Sequence, residues 1–305
     1  MGDIETRIED AEDRLFAKHE VSPKRHTLKF DSEPARIRVL ELGSGPPVLL
    51  LHPAGFFGAV WVSQLARLRG HRLLAPDLPG HGVSDAVDYR SVDLRQKFVV
   101  DATAILDGLE VEQAAVVGNS LGGMYALWLA LAAPERVTRL AIVGVPGIAL
   151  AGAHVDLGIA LLGVPVLNRF LLRLPSNPKR TRAMLAPSLG RPASQAADRE
   201  LFEIHYLPGR RPEVVLSLTT MMERELRWKT PRPGLIVRDD ELATLAMPTR
   251  FLFGDRDAYG DREVADDAAR AIPDARVESI SGGHFPYLDQ PDECARLLSE
   301  FLAEA

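Results

Sequence analysis

A doubly wound α/β sheet is the fold class that this 305-residue sequence predicts, and three observations carry the prediction. Short β-rich runs recur along most of the chain and alternate with helical stretches, the rhythm of strands joined by right-handed crossovers. Five of those runs, VLLL, RLLA, AAVVG, LAIVG and RFLFG, are continuously apolar, as parallel strands covered on both faces must be. The earliest pair of runs instead alternates, like an antiparallel hairpin with one wet face.

Taken in order, Ile4, Ile8, Ala11 and Leu15 recur at helical spacing among charges, so residues 1–24 are expected to hold an amphipathic helix, ending before Pro23, packed on the body. Strands are expected at 26–30, 37–42, 48–52, 72–75, 115–118, 140–144, 249–254 and 277–280, giving eight in all. Helices are expected at 60–68, 92–109, 121–133, 261–271 and 293–302. One interval breaks the rhythm. Residues 147–240 carry no clear strand and many prolines, and read as short helices inserted between the two halves, 25–146 and 241–305, of one catalytic body.

Composition limits the function classes. The chain is 46% apolar, with 36 Lys+Arg against 42 Asp+Glu and a net charge of -6, so a sizeable core can be buried and a basic nucleic-acid surface is not expected. Charge is uneven, because 147–240 holds 14 Lys/Arg against 9 Asp/Glu and the remainder 22 against 33. One cysteine, Cys294, makes neither an internal disulfide nor a cysteine-rich metal cluster. The acidic start MGDIETRIEDAEDRLF lacks the basic and apolar regions of a signal peptide, and the greasiest stretch, 155–174, is interrupted by Asp156, Gly158, Pro165 and Arg169. A cytoplasmic protein acting on a small molecule is expected, without a membrane span.

The chemistry concentrates in loops after apolar runs. Gly118-Asn119-Ser120-Leu121-Gly122 is G-x-S-x-G between a strand and a helix, a sharp turn that offers Ser120 at a helix N-terminus. A serine hydroxyl needs a base, and a base needs an orienting acid. His284, in Ser281-Gly282-Gly283-His284-Phe285, follows the last strand and supplies the base. Asp257, in Gly254-Asp255-Arg256-Asp257, is chosen as the acid. Asp255 lies closer to the strand end and is expected to turn back into the loop, while Asp261 reads as the N-terminal acid of the next helix. An oxyanion needs two aimed donors: the N–H of Leu121, and that of Ala54 because Pro53 has none. His81, in a turn-rich loop, is expected to organise that loop by hydrogen bonds. Phe56, Phe57, Trp61 and Phe285 are expected to line a substrate pocket. In the inserted interval, Leu157, Ile159, Leu161, Leu162, Val164, Leu167, Phe170 and Leu171 form an apolar stripe that reads as core ahead of a pocket lining, and Lys179, Arg180, Arg182, Arg210 and Arg211 read as a solvated basic face ahead of a site for an acidic substrate.

With LLLHPAG, APDLPGHGVSD, VVGNSLGGMYAL, FLFGDRD and SGGHFPYLDQPDE in the order Ser, Asp, His, the chain resembles the α/β-hydrolase superfamily over nearly its whole length. The resemblance implies an eight-stranded, mostly parallel sheet flanked by helices, with 147–240 as a helical cap over the site. It implies catalysis by Ser120, His284 and Asp257 with no metal and no organic cofactor. Pro53 departs from the His-Gly usual in the oxyanion loop. A serine nucleophile sets the chain apart from dehalogenases and epoxide hydrolases of the superfamily, which use Asp. GNSLGG resembles the elbows of hydrolases that cleave ring-fission diketones between carbons, but those carry Trp where Phe285 stands. Hydrolysis of a carboxylic ester, thioester or lactone therefore ranks first and C–C hydrolysis second, with acyl transfer or cofactor-free haloperoxidation also open to the same triad.

Overall fold

The structure is a computed structural model that describes residues 2–155, 157–165, 167–168, 177–185, 188, 199–228 and 230–304. Ten strands are described: β1 Lys24–Lys29, β2 Arg36–Leu42, β3 Pro47–Leu51, β4 Arg72–Pro76, β5 Ala114–Asn119, β6 Val137–Val143, β7 Leu226–Arg227, β8 Thr230–Pro231, β9 Thr249–Gly254 and β10 Ala275–Ile280. Eight of them form one sheet in the order β1-β2-β4-β3-β5-β6-β9-β10, and only β2 runs against its neighbours. This is the α/β-hydrolase fold that the motifs imply. The remaining pair, β7 and β8, is a two-residue hairpin in the inserted interval, too short to leave a period in the sequence.

The apolar runs divide by alternate residue between the faces. Leu49, Leu51, Val116, Leu140, Ile142, Phe251 and Phe253 join the core on one side. Val48, Leu50, Ala115, Val117, Ala141, Val143 and Leu252 join the core on the other. Helices Leu94–Gly108 and Leu121–Ala132 follow the expected spans closely, and Asp93 caps the first by accepting from the Gln96 N–H at 3.0 Å. The helix expected at 60–68 is shorter and begins as a 3-10 turn, Gly58–Trp61, followed by Val62–Leu65.

The wet face expected of the first hairpin is absent from β2. Ile37, Arg38, Val39 and Leu40 are all buried, whereas β1 keeps mostly exposed or half-buried residues. The cause is helix Gly2–Lys18, whose Ile8, Ala11 and Leu15 are buried and whose Glu12 reaches the inward guanidinium of Arg38. Arg38 donates to Glu12 at 2.7 Å and lies 2.8 Å from Asp77, so no charge in this interior group stands alone. The same helix reaches the inserted interval, where Arg14 pairs with Glu203 at 2.7 Å and Lys18 with Glu200.

Between β6 and β9 lie helices Leu157–Leu162, Pro178–Leu185, Arg199–Tyr206 and Pro212–Glu225. Phe170 and Leu171 fall outside the described residues, as do the side chains of Ile159, Leu162 and Arg180. Leu157 is exposed rather than core. The basic residues are not a uniform solvated face: Arg211 is buried and donates to Gly82 O at 2.8 Å, and the Arg182 guanidinium lies 4.5 Å over the Phe202 ring. No helix among the described residues is long and apolar enough to cross a membrane.

Candidate active site

Because β3, β5, β9 and β10 are parallel, the loops that leave their C-terminal ends meet at one edge of the sheet, the place where open α/β sheets hold ligands. Ser120 stands there between β5 and helix Leu121–Ala132, with φ +52° and ψ -117°, a conformation that a non-glycine residue adopts only under constraint. The constraint is visible in its neighbours. A Cβ on Gly118 would stand 2.2 Å from the Gly122 carbonyl oxygen, and one on Gly122 would stand 2.1 Å from that of Leu51. Only glycines allow strand, turn and helix to approach so closely.

The loop after β9 aims Asp257 at the loop after β10. Asp257 Oδ2 and Oδ1 lie 2.8 and 3.0 Å from His284 Nδ1. The same carboxylate accepts the Val145 N–H and the Tyr259 N–H, each at 3.0 Å. Burial pushes its pKa up, but the histidine and the two amides outweigh burial and hold it below the usual aspartate value. His284 Nε2 is buried and has no hydrogen-bond partner among the described residues. Asp255 turns back as the sequence suggests and accepts the Gly282 N–H at 2.9 Å. Asp261 occupies the N-cap position of helix Arg262–Ala271, without a side-chain capping bond.

Three residues that the motifs did not single out hold the histidine loop. Asn119, fully buried beside Ser120, donates to the carbonyls of Val143 at 2.5 Å and His284 at 3.0 Å. Ser188, from the inserted interval, accepts the His284 N–H on its carbonyl at 2.9 Å, and its hydroxyl lies 2.6 Å from the Tyr259 hydroxyl. The Tyr259 ring meets the His284 ring edge-on at 4.5 Å. A buried amide next to a candidate nucleophile is a readable signal, because it must find partners inside the protein. Ser188 carries no such signal, since only folding brings it to the loop.

The loop after β3 is built on a second histidine. His52 Nδ1 donates to the Pro53 carbonyl at 2.8 Å, and Nε2 accepts the Leu78 N–H at 2.9 Å, which defines a neutral tautomer. Burial depresses its pKa well below the usual histidine value, and neighbouring His81 adds to the effect. His81 lies 5.0 Å away ring to ring with Nδ1 3.0 Å from Pro79 O, organising its loop as expected, and burial lowers its pKa to about 4. The Pro53 carbonyl also accepts the Phe56 N–H at 3.2 Å. Since that carbonyl is engaged on one side, the Ala54 N–H, antiparallel to it across a trans peptide, faces the other. Among the described residues neither the Ala54 N–H nor the Leu121 N–H has a hydrogen-bond partner.

The four candidate pocket residues separate into two pairs. Phe56 and Phe285 meet at 5.3 Å, and Phe285 lies 5.1 Å from the His284 ring. Phe57 and Trp61 point into the body, Phe57 beneath the Arg38 guanidinium at 5.6 Å and Trp61 stacked on Tyr287 at 4.2 Å. Above Phe56 lies His205 of helix Arg199–Tyr206, with ring centroids 4.3 Å apart. A cavity of about 540 Å³ opens elsewhere, at the C-terminal end of helix Leu121–Ala132 between Arg95, Trp128 and Glu241, and none of Ser120, His284 or Asp257 lines it.

Comparison with known proteins agrees with this fold. Residues 48–297 match the alpha/beta hydrolase family. A 2-hydroxymuconate semialdehyde hydrolase of Pseudomonas sp. (strain CF600) is 30% identical, over 88% of this chain and 91% of its own. A pimeloyl-[acyl-carrier protein] methyl ester esterase of Vibrio parahaemolyticus is also 30% identical, over 84% and 94%. The solved carboxylesterase CesB from Bacillus subtilis superposes with a TM-score of 0.75 over 99% of both chains at 21% identity. The chain belongs to the alpha/beta hydrolase family.

Proposed function

We propose that the chain is a serine hydrolase that cleaves a carboxylic ester, thioester or lactone of a small, largely apolar molecule through an acyl-enzyme. The observation that carries this reading is the Asp257–His284 pair. Both carboxylate oxygens hold Nδ1, leaving a buried, unpartnered Nε2 on a loop that Asn119, the residue preceding Ser120, bonds directly. In the reaction Ser120 Oγ attacks the scissile carbonyl and passes its proton to His284 Nε2. Asp257 keeps the imidazole in the required tautomer and stabilises the imidazolium. The oxyanion forms against the N–H groups of Leu121 and Ala54. His284 then gives the proton to the departing alcohol, and water activated by the same histidine releases the acid. Residues 147–240 act as a cap, with Ser188 and His205 reaching the site from it, and Phe56 and Phe285 line the pocket.

Fluorophosphonate labelling tests the reading. Native protein is expected to be labelled and Ser120→Ala not; an unlabelled native protein overturns the proposal. C–C hydrolysis is the second reading, favoured by the likeness to the semialdehyde hydrolase and opposed by Phe285 in the position of that class's Trp. Kinetics with p-nitrophenyl esters of increasing length, beside a lactone and a vinylogous diketone, separate the two, and preference for the diketone would promote the second.

A further inference from the structure

Building on the ester-hydrolase reading, we propose that His205 is a specificity-determining residue that hydrogen-bonds an oxygen on the substrate's acyl chain, so that oxoacyl and hydroxyacyl esters are preferred over plain alkanoyl esters.

His205 belongs to the inserted helix Arg199–Tyr206 and is buried. Its ring is tilted at 46° over Phe56, and its Cε1 lies 3.3 Å from where a side chain on Gly55 would begin. Gly55 and Phe56 immediately follow Ala54, so the imidazole stands within about two residues' reach of the proposed oxyanion donor, or roughly 7 Å along the chain. Its Nδ1 is shut off from solvent and has no hydrogen-bond partner among the described residues. Burial lowers the pKa of the group to about 4, so near neutrality it is an uncharged imidazole, able to donate from one nitrogen and accept at the other. In an apolar contact with Phe56 and Gly55, a phenylalanine would fill the same space with no orphaned polar atom. A polar ring kept there needs a partner that arrives with the ligand.

Position selects the acyl side. The leaving alcohol must stand where His284 Nε2 can protonate it, beside a ring that Phe285 and Tyr259 flank. His205 instead meets Phe56 and Gly55 on the loop that carries Ala54, and among the described residues it makes no ring contact with His284 or Phe285. A carbonyl or hydroxyl on the acyl chain meets it there, whereas an oxygen on the alcohol does not.

The test compares matched p-nitrophenyl esters: butanoate with 3-oxobutanoate, and hexanoate with 5-oxohexanoate. In the native enzyme kcat/KM for at least one oxo ester is expected to exceed that of its alkanoyl partner by about tenfold, the size of one hydrogen bond realised in the transition state. His205→Phe, which keeps the aromatic contact, is expected to bring that ratio within about twofold. Each ratio is taken on one preparation, so it does not depend on the folded fraction, and His205→Leu provides a second variant should the first misfold. Equal rates for both members of each pair in the native enzyme, or a preference surviving in both variants, overturn the role of His205. A native enzyme that hydrolyses no ester at all overturns the ester-hydrolase reading itself.

Discussion

The loops after β3 and β10 approach Ser120 from two sides and are secured by opposite chemistry. The histidine loop is held by carboxyl and amide side chains: Asp257 on the imidazole, Asp255 on Gly282, Asp289 on the Gly283 N–H at 2.7 Å, and Asn119 on the His284 carbonyl. The loop after β3 is held by an uncharged imidazole, His52, between Pro53 and Leu78. On the proposed mechanism, carboxylates suit the first because they favour the imidazolium that the reaction would create there. A neutral ring suits the second, because a fixed charge beside the proposed oxyanion donors would either compete with the oxyanion or have to be buried without a counterion.

Substitutions in the histidine loop should have the larger effect. His284→Ala is expected to reduce turnover by on the order of 10⁴ to 10⁶, and Asp257→Asn by about 10⁴ because the amide favours the wrong tautomer. Asp255→Asn should stay within about tenfold of native, since it loses only a bond to backbone. Steady-state kinetics on the three variants decide the matter: near-native turnover in Asp257→Asn, with activity abolished in Asp255→Asn, would reverse the assignment of the acid.

The loop after β3 should respond more mildly and in a different parameter. His52→Leu removes the acceptor for Leu78 and the donor to Pro53 while preserving bulk. A fall in kcat of about 10 to 100-fold is expected through misplacement of the Ala54 N–H, together with a loss of about 1–3 kcal/mol in stability. Loss of stability with an unchanged kcat would show that the loop reaches its catalytic shape without His52.

This asymmetry also governs what the sequence made legible. The fold class and the places of Ser120, His284 and Asp257 in the chain follow from local patterns, because G-x-S-x-G, Gly-Asp-Arg-Asp and Gly-Gly-His each sit directly after a strand. The burial of Arg38, the Phe57 and Trp61 contacts with the body and the Ser188 bond were not legible. Each depends on an element distant in sequence, respectively helix Gly2–Lys18, the Arg38 and Tyr287 side chains, and the inserted interval. His52 could have been read further, since a histidine directly after an apolar strand must find partners for two ring nitrogens.

Stability against pH sharpens the comparison. Near the loop after β3, burial lowers His81 and His205 from 6.5 to about 4. The unfolded chain therefore binds more protons in that window, and this stabilisation, complete above pH 6.5, is lost as pH falls toward 4. On the other face, burial raises Glu225 from 4.5 to about 8 and Asp101 from 3.8 to about 6. There the sign reverses: the folded chain binds more protons, and stability present below the unfolded values is lost as pH rises through the folded ones. The two slopes oppose each other below pH 6.5, and above it Glu225 dominates. The melting temperature should thus decline from pH 6.5 to 8. Glu225→Gln should flatten that decline and gain a few kcal/mol at most at pH 8, with little change at pH 4. A variant melting curve parallel to native across this range would show that Glu225 is ionised in the folded protein.

The smallest effect belongs to the one cysteine. Cys294 is fully buried in helix Pro291–Ala303, and burial raises its thiol far above the ordinary cysteine value. The thiolate, which is the reactive form, is therefore scarce and shielded. The native protein should not react with a thiol reagent such as dithionitrobenzoate on the timescale of an activity assay, and incubation with it should leave esterase turnover unchanged, while one thiol per chain should appear on unfolding. Inactivation by the reagent at the rate of a surface thiol would place Cys294 in contact with solvent and make the packing of that helix far looser than its buried Leu297, Leu298 and Phe301 require.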